Sequence, residues 1–174
     1  MQSVKVVITG PFDAGKTTFI RSVSEITVLS TERRVTETGE GDGETTVAMD
    51  FGRITISDDV VLYLFGTPGQ SRFSFMWETL SEGMLGFVLL VDAMSPETFS
   101  DAREMIQFFS ERSDVPFVVA ANKIGSSETG LLQDTRRQLE LSDSVLLLPM
   151  DARDRKSVKS VLLGLLHEIL DRLE

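Results

Sequence analysis

The chain has 174 residues, contains no cysteine and carries a formal net charge of −10. This length accommodates one domain with a sizeable core, and the absence of cysteine excludes disulfides, thiolate zinc sites and a cysteine nucleophile. The acidic balance argues against binding of nucleic acid or an anionic membrane through bulk charge, so any bound phosphate must be held by a local site.

The sequence as written predicts no direct membrane anchor. The longest apolar run, Met84–Val91, is far too short to span a bilayer. The first residues show neither a signal-peptide pattern nor a glycine for myristoylation, and the last residues include no prenylation cysteine. We therefore expect a soluble protein that suits a reducing cytoplasm and that meets membranes, if at all, through a partner.

The first half of the chain alternates strand-like and helix-like patterns. The β-branched run Val4–Thr9 ends at Gly10 and predicts a strand, and Gly15–Ser24 then predicts a helix. The polar, glycine-containing stretch Ser30–Thr46 predicts a mobile loop. Two further strands are predicted to pair across a turn at Asp58-Asp59, namely Thr46–Ser57 and Val60–Phe65.

The second half continues the alternation. Ser95 is expected to cap a helix that has Pro96 at its first position. The patterns predict four helices, at Arg72–Glu82, Pro96–Arg112, Glu128–Glu140 and Arg155–Leu173, and three strands, at Leu85–Val91, Val115–Ala121 and Val145–Leu148. We therefore expect an α/β fold with a mostly parallel sheet of about six strands, flanked by about five helices, in one domain over 1–174.

One segment carries specific chemistry. Residues 10–17 read Gly-Pro-Phe-Asp-Ala-Gly-Lys-Thr, which matches the P-loop pattern G-x-x-x-x-G-K-[ST]. Lys16 would supply a positive charge to the β- and γ-phosphates, and the Thr17 hydroxyl can ligate Mg²⁺. The strand and helix predicted on either side disfavour the alternative of a chance glycine turn. The glycines let the backbone curl so that successive N–H groups point at phosphate oxygens, namely those of Asp13, Ala14, Gly15, Lys16, Thr17 and Thr18.

From the P-loop onward, nearly the whole chain resembles the Ras-like small GTPase superfamily. The stretch Asp13–Thr17 looks like the Arf and G-alpha branch, whereas Thr46–Gly52 and Leu64–Gln70 resemble bacterial proteins of the MglA type and actinobacterial conservon GTPases. The resemblance implies a molecular switch that binds GTP or GDP with Mg²⁺ and hydrolyses GTP slowly. It also implies a regulatory partner of the roadblock type.

The resemblance assigns roles to residues that respond to the γ-phosphate. Thr46 would reach Mg²⁺ with its hydroxyl and the γ-phosphate with its N–H, although a plain strand-start threonine and its neighbour Thr45 remain alternatives. Gly69 would offer its N–H to the γ-phosphate, and Gln70 would orient the attacking water. The sequence leaves open which arginine, if any, supplies a positive charge to the transition state; the internal sources considered are Arg33, Arg34, Arg53 and Arg72.

One departure from the family affects the metal site. Gly66 stands where the superfamily has an aspartate that holds the Mg²⁺ shell, and the MglA type lacks this aspartate as well. Asp50 is our candidate substitute, because it lies four residues after Thr46 and could swing toward the metal. A surface carboxylate on a strand is the alternative.

A second departure affects the base. The stretch Asn122-Lys123-Ile124-Gly125 resembles the guanine motif N-K-x-D, in which Asn122 would tie this loop to the P-loop and the Lys123 stem would cover the base. Gly125 replaces the aspartate that accepts hydrogen bonds from guanine. The stretch Asp151-Ala152-Arg153 resembles the S-A-K element, with the Ala152 N–H directed at guanine O6, or is a plain strand-to-helix turn.

Two other functions remain possible from the sequence. The two departures permit a nucleotide-binding scaffold that has lost hydrolysis. A P-loop ATPase or kinase with relaxed base selectivity is the other alternative, because Asp92 ends a predicted strand as a Walker-B aspartate would. Trp77 and the pair Phe73 and Phe75 belong either to the core or to a partner surface.

Overall fold

The computed structural model describes residues 1–36, 44–70, 73–125 and 127–174, with the backbone alone over 31–36 and 44–48. Seven strands form one sheet in this part of the chain: Gln2–Thr9 (β1), Leu29–Thr36 (β2), Glu44–Ser57 (β3), Val60–Gly66 (β4), Gly86–Asp92 (β5), Phe117–Asn122 (β6) and Leu146–Met150 (β7). Five helices accompany them: Lys16–Val23 (α1), Ser74–Ser81 (α2), Phe99–Arg112 (α3), Thr129–Gln138 (α4) and Arg155–Asp171 (α5).

The sheet order is β2-β3-β4-β1-β5-β6-β7. Neighbours from β4 to β7 run parallel, whereas β3 is antiparallel to both β2 and β4. The α/β class and the mostly parallel sheet with five helices are thus confirmed. The parallel strands end at one edge, where the loops after β1, β4, β6 and β7 meet, and this is where α/β sheets bind ligands.

The segment Ser30–Thr46 was wrongly predicted to be a loop. Its two ends are strands: β2 pairs antiparallel with β3, from Leu29 opposite Phe51 to Thr36 opposite Glu44. Because β2 lies at the edge of the sheet, it does not need the apolar alternation on which strand prediction rests. Residues 37–43 of the predicted loop lie outside the described residues.

The start of α3 also differs from the prediction. A single turn of 3-10 helix, Pro96–Thr98, precedes α3, and the Ser95 side chain makes no capping hydrogen bond. Its hydroxyl lies 3.4 Å from a carboxylate oxygen of Asp92 instead. The buried carboxylate at the end of β5 needs hydrogen-bond donors, and it competes with the helix for this hydroxyl.

Apolar side chains cover both faces of the sheet. On one face, α1 and α5 pack through residues such as Ile20 and Leu162, and on the other face Trp77 and Phe109 of α2 and α3 pack against β5. Trp77 is fully buried and Phe73 nearly so, hence both belong to the core, whereas Phe75 is exposed. No helix within the described residues is long and apolar enough to cross a membrane.

Candidate functional site

The P-loop joins β1 to α1 by a backbone path that requires glycine at two positions. Gly10 has a φ of +150°, and a Cβ there would lie 2.2 Å from the Leu90 carbonyl oxygen. Gly15 has a φ of +104°, and its Cβ would lie 2.6 Å from Asn122 Nδ2. Any side chain at either position would collide with these groups, so the loop can curl this tightly only with glycine.

The amino-terminal turn of α1 faces the loop with unpaired amides. The first hydrogen bond of the helix runs from the Phe19 N–H to the Gly15 carbonyl at 2.8 Å, so the amides of residues 16–18 have no acceptor within the helix. One predicted phosphate donor differs, because the Ala14 N–H donates to the Pro11 carbonyl at 3.2 Å and closes a turn. The remaining amides and the helix dipole suit an anion.

Lys16 lies under the loop that precedes it. Its Nζ donates to the carbonyl oxygens of Gly10 and Pro11, at 2.6 and 2.7 Å. Burial lowers the pKa of Lys16 to about 8, against the opposing effect of the Asp50 and Asp13 carboxylates. A buried ammonium with so low a pKa gains stabilisation from any anion that enters this site.

Asp50 lies beside Thr17, on the α1 side of β3. One carboxylate oxygen accepts a hydrogen bond from the Thr17 hydroxyl, and the other accepts one from the Ser30 hydroxyl at 2.8 Å. Gly66 is directly opposite Asp50 in the β3–β4 register, and a Cβ at position 66 would come within 3.3 Å of the Asp50 Cβ. A longer side chain at position 66 would therefore compete with Asp50 for this space.

The oxygen donors of this corner fit Mg²⁺, which prefers carboxylate, hydroxyl, phosphate and water oxygens. Asp50 and Thr17 would hold the ion from the protein side. Across the described residues no group of three or more histidine, cysteine, aspartate and glutamate side chains could hold a metal. A magnesium ion here would accordingly keep most of its ligands as phosphate oxygens and water.

The segment after β4 is fixed against the P-loop. The Thr67 hydroxyl donates to Thr9 at 2.9 Å, and the Trp77 indole N–H donates to the Pro68 carbonyl at 2.9 Å. A Cβ at Gly69 would lie 2.6 Å from the Phe12 backbone nitrogen and 2.7 Å from Lys16 Nζ. The Gly69 backbone can approach the P-loop lysine this closely only because the residue has no side chain.

Thr46, the residue predicted to sense the γ-phosphate, lies in β3 opposite Arg34, and Thr45 lies opposite Val35. Both threonines belong to the stretch whose backbone alone is described, so the roles assigned to their side chains stay predictions. Of the four arginines considered as sources of charge, Arg33 and Arg34 lie in the other stretch described by its backbone alone, 31–36, and Arg72 lies outside the described residues. Arg53 lies on β3 at the paired position opposite Tyr63.

Asn122 links three loops at the end of β6. Its amide nitrogen donates to the Ala14 carbonyl at 3.1 Å, which joins this loop to the P-loop. Its amide oxygen accepts the Lys123 N–H at 2.9 Å and the Ala152 N–H at 3.0 Å. The Ala152 N–H donates to Asn122 in the structure, because a buried amide needs an acceptor; its predicted contact with guanine O6 stays a prediction.

Lys123 has a left-handed backbone, with a φ of +69°. Its ammonium group lies 2.6 Å from an Asp92 carboxylate oxygen. Burial raises the pKa of Asp92, but hydrogen bonds from Lys123 and from the Met94 N–H outweigh it and hold that pKa below its usual value. The lysine is thereby anchored at the end of β5, so its position beside the cavity is determined by Asp92.

Asp151 and Arg153 form a small network in the loop after β7. One Asp151 carboxylate oxygen accepts the Arg153 N–H and Nε–H, at 3.0 and 3.1 Å, and the other accepts Nη2–H at 3.2 Å. The Asp151 N–H donates to the Ser157 hydroxyl at 3.0 Å. Across the cavity, the Gly125 N–H donates to a Glu128 carboxylate oxygen at 3.0 Å.

Two adjacent cavities, of about 540 and 560 Å³, share the wall formed by Asp13, Gly15 and Thr18. We call the first the base cavity and the second the phosphate cavity. The base cavity is also lined by Asn122, Lys123, Gly125, Asp151, Ala152 and Arg153. The phosphate cavity is also lined by Lys16, Thr17, Asp50, Gly69 and Gln70, and its further lining residues include Arg21 and Ser30, which were not predicted as site residues. Among the predicted site residues whose side chains are described, Ala14 lines neither cavity.

The two additional residues differ in how far the sequence signals them. Arg21 lies on α1 four residues after Thr17, so the helical repeat alone places it on the same side of the helix. Ser30 is opposite Asp50 in the β2–β3 register, which can be known only once β2 is recognised as a strand.

The sheet, the glycine-dependent P-loop and the cavities beside it define a P-loop NTPase domain that binds nucleotide. A family model described as "Conserved hypothetical ATP binding protein" matches residues 8–172. The chain belongs to this family.

Several curated proteins are similar to the chain. "Uncharacterized protein MJ1339" of Methanocaldococcus jannaschii is 33% identical over 129 residues, which cover 72% of this chain and 75% of that protein. "Ras-related protein Rab-8B" of Homo sapiens is 24% identical over 134 residues, which cover 74% of the chain and 65% of Rab-8B. "Ras and EF-hand domain-containing protein homolog" of Caenorhabditis elegans is 22% identical over 177 residues, which cover 97% of the chain and 26% of that protein.

Proposed function

We propose that the chain binds GTP together with Mg²⁺ and hydrolyses its γ-phosphate slowly, so that the GTP and GDP states act as a molecular switch. The observation that carries this proposal is the phosphate cavity, where Lys16, Gly69 and Gln70 line the same space. A nucleotide whose phosphates occupied this cavity would have its base in the adjoining base cavity, since Asp13, Gly15 and Thr18 line both.

The chain's residues suit phosphoryl transfer to water, which depends on positioning and charge stabilisation more than on covalent chemistry. Lys16 would exchange its two carbonyl contacts for β- and γ-phosphate oxygens, and the amides at the start of α1 would hold the other phosphate oxygens. Gln70 would orient the attacking water. Mg²⁺, held by Thr17, Asp50 and on the family resemblance Thr46, would neutralise charge on the phosphates.

Guanine is favoured over adenine by two stretches. The Asn122-Lys123 pair and residues 151–153 line the base cavity, and both stretches resemble guanine-binding elements. The relatives of the Ras and Rab kind support nucleotide binding in general. The second candidate is ATP, which is favoured by the family description and by Gly125, where no side chain is present to select guanine.

The test is equilibrium binding of GTP, GDP and ATP with and without Mg²⁺, followed by single-turnover release of phosphate. We expect GTP and GDP to bind more tightly than ATP, and phosphate to be released slowly from GTP. Tighter binding of ATP would replace the guanine proposal with the ATPase or kinase alternative. Binding of GTP without phosphate release would indicate a scaffold that has lost hydrolysis.

A roadblock-type regulatory partner is proposed from the resemblance to MglA-type proteins alone. Phe12 is 67% exposed in the P-loop beside the phosphate cavity, where its bulk obstructs an arginine entering from a partner. We therefore expect such a partner to act by positioning the chain's own residues. Adding a purified roadblock dimer to the single-turnover reaction tests this, and an unchanged rate together with no complex on gel filtration would reject it.

A further inference from the structure

The base cavity lacks a side chain at the position from which guanine is normally selected. Gly125 has no side chain, and among the described residues a Cβ built there would meet only the Ser127 hydroxyl, at 3.9 Å. Guanine presents two donors on this edge, the N1–H and the C2 amino group, and a carboxylate satisfies both. If the chain selects guanine, another acceptor must be available beside Gly125.

Three carboxylates lie at different positions around Gly125. Glu128 is engaged by the Gly125 N–H at 3.0 Å and does not line the base cavity. Asp151 lines the cavity together with Gly125, and its side chain is 47% exposed. Asp13 lines the cavity as well, but it belongs to the P-loop and to the wall shared with the phosphate cavity.

We propose that the carboxylate of Asp151 reads the base, accepting hydrogen bonds from the N1–H and the C2 amino group of guanine in place of a side chain at position 125. The proposal rests on the proposed function, since it assumes that guanine nucleotide occupies the base cavity. It makes Asp151 the residue that determines the choice between guanine and adenine.

The loop that carries Asp151 is held in place by its backbone. The Asp151 N–H is fixed by Ser157 at 3.0 Å, and the next amide, that of Ala152, is fixed by Asn122 at 3.0 Å. The Ser22 hydroxyl of α1 donates to the Ala152 carbonyl. The carboxylate is therefore presented to the cavity from a positioned segment, as selective recognition requires.

Arg153 forms an ion pair with the Asp151 carboxylate and favours its charged form. Hydrogen bonds from the Arg153 side chain and N–H lower the pKa of Asp151, so the group stays an acceptor at neutral pH. The Arg153 side chain is 83% exposed, and an exposed ion pair of this kind is broken at little cost. Guanine can therefore take the place of the guanidinium group.

The chemistry of the base explains the selectivity that we expect. Adenine has an unprotonated N1 and no amino group at C2, so the Asp151 carboxylate would face an acceptor and a C–H group and would lose hydration without compensation. Sites that are built to bond a specific group reject analogues that lack it by large factors. Xanthine has a carbonyl at C2, which an amide at position 151 could satisfy by donating.

The experiment is competition binding of GTP, ATP and XTP to the full chain and three variants that each convert one carboxylate to its amide. Asp151→Asn tests the proposal, and Glu128→Gln tests the rival carboxylate. Asp134→Asn is the matched control, because Asp134 is an exposed aspartate paired with Arg137 on α4, away from both cavities.

We expect Asp151→Asn to weaken GTP binding about 10- to 100-fold. It should strengthen binding of ATP and XTP, because the amide can donate to adenine N1 and to the C2 carbonyl of xanthine. Glu128→Gln and Asp134→Asn should keep the parent preferences. Adding Gly125→Asp to Asp151→Asn should restore the preference for GTP, since position 125 has room for a side chain. This rescue distinguishes base reading from a general defect of the loop.

An unchanged GTP preference in Asp151→Asn, or its loss in Glu128→Gln instead, would overturn the inference while leaving the proposed function intact. If the parent chain binds ATP more tightly than GTP, or binds neither nucleotide, the proposed function and this inference fall together.

Discussion

Lys16 is a residue whose environment would change if a nucleotide bound. Without one, its ammonium group is buried under the P-loop carbonyls of Gly10 and Pro11, and burial lowers its pKa to about 8. Phosphate groups would raise that pKa, because an opposite charge favours the protonated form. Binding above pH 8 must therefore be accompanied by proton uptake.

The pH dependence of affinity follows from this shift. Below pH 8 the Lys16 side chain is protonated in both the free and the nucleotide-bound protein, and triphosphate affinity should be at its full value. As the pH rises above 8 the free protein loses the proton, so affinity should fall by up to about tenfold per pH unit. Calorimetry at pH 8.5 in buffers of different ionisation enthalpy measures the proton uptake directly.

The Lys16→Met variant is the control for this prediction. It should bind triphosphate roughly tenfold or more weakly at pH 7, because it lacks a charge-assisted contact. It should show no proton uptake at pH 8.5. If it takes up as many protons as the parent, another group is responsible for the pH dependence.

Asp50 is predicted to lower the Mg²⁺ concentration that triphosphate binding requires. In Asp50→Ala we expect this concentration to rise about 10- to 100-fold, the usual effect of losing a partner of a metal ligand, because Thr17 loses its hydrogen-bond acceptor. Asp134→Ala, an exposed change on α4, is the matched control. Superimposable Mg²⁺ titrations of parent and Asp50→Ala would leave Thr17, phosphates and water as the candidate ligands.

At the scale of elements, the segment after β4 brings the predicted water-positioning residue to the phosphates. Thr67 and Pro68 are tied to β1 and α2, and Gly69 lies against Lys16. Gln70 follows directly and lines the phosphate cavity. Its backbone is therefore positioned from the core, while its side chain faces the space where hydrolysis would occur.

Gln70→Leu should slow single-turnover hydrolysis on the order of 100-fold, the effect of losing correct placement of a reactant. Nucleotide affinity should stay within about twofold, because the lost interaction belongs mainly to the transition state. Gln107→Leu makes the same change on α3, away from both cavities, and should alter neither quantity. Equal hydrolysis by Gln70→Leu and the parent would assign water positioning to another residue.

Elements with an apolar pattern could be predicted from the sequence, and the elements that lack one could not. The buried run Leu85–Val91 is β5 within one residue, because burial on both faces leaves a continuous apolar signal. β2 contains Glu32, Arg33 and Arg34, and it is a strand because β3 pairs with it. That pairing also brings Ser30 to Asp50, which local sequence spacing does not reveal.

In the candidate site, too, features set by local sequence could be predicted, and features that depend on distant residues could not. The P-loop was predictable because its glycines meet a local backbone requirement. The hydrogen bond from the Ala152 N–H to Asn122 was not predicted, because Asn122 lies 30 residues earlier on another strand. Asp50 was considered as a substitute for the missing aspartate, but its position opposite Gly66 depends on strand register, which a single sequence does not determine.

At the scale of the whole molecule, one nucleotide would contact loops that follow four different strands. The P-loop follows β1, the Gly69 segment follows β4, and Asn122 and Asp151 follow β6 and β7. In the structure the loops after β1, β6 and β7 are joined by the hydrogen bonds of Asn122 with Ala14 and Ala152, and Gly69 in the loop after β4 lies against Phe12 of the P-loop. A ligand that spans them should therefore stabilise the fold as a unit.

We expect Mg²⁺ and GTP at about 100 times the dissociation constant to stabilise the chain by about 2.7 kcal/mol, which raises the Tm by about 5–10 °C for a protein of this size. At the same concentrations Lys16→Ala should show about half this stabilisation, since a tenfold loss of affinity removes about 1.4 kcal/mol. Guanosine, which has no phosphates, should cause almost no shift. Hydrogen exchange should slow in all four loops together, because a single ligand contacts them; protection restricted to the P-loop would mean that the base lies outside the base cavity. Equal shifts with guanosine and GTP would contradict a site built around phosphate.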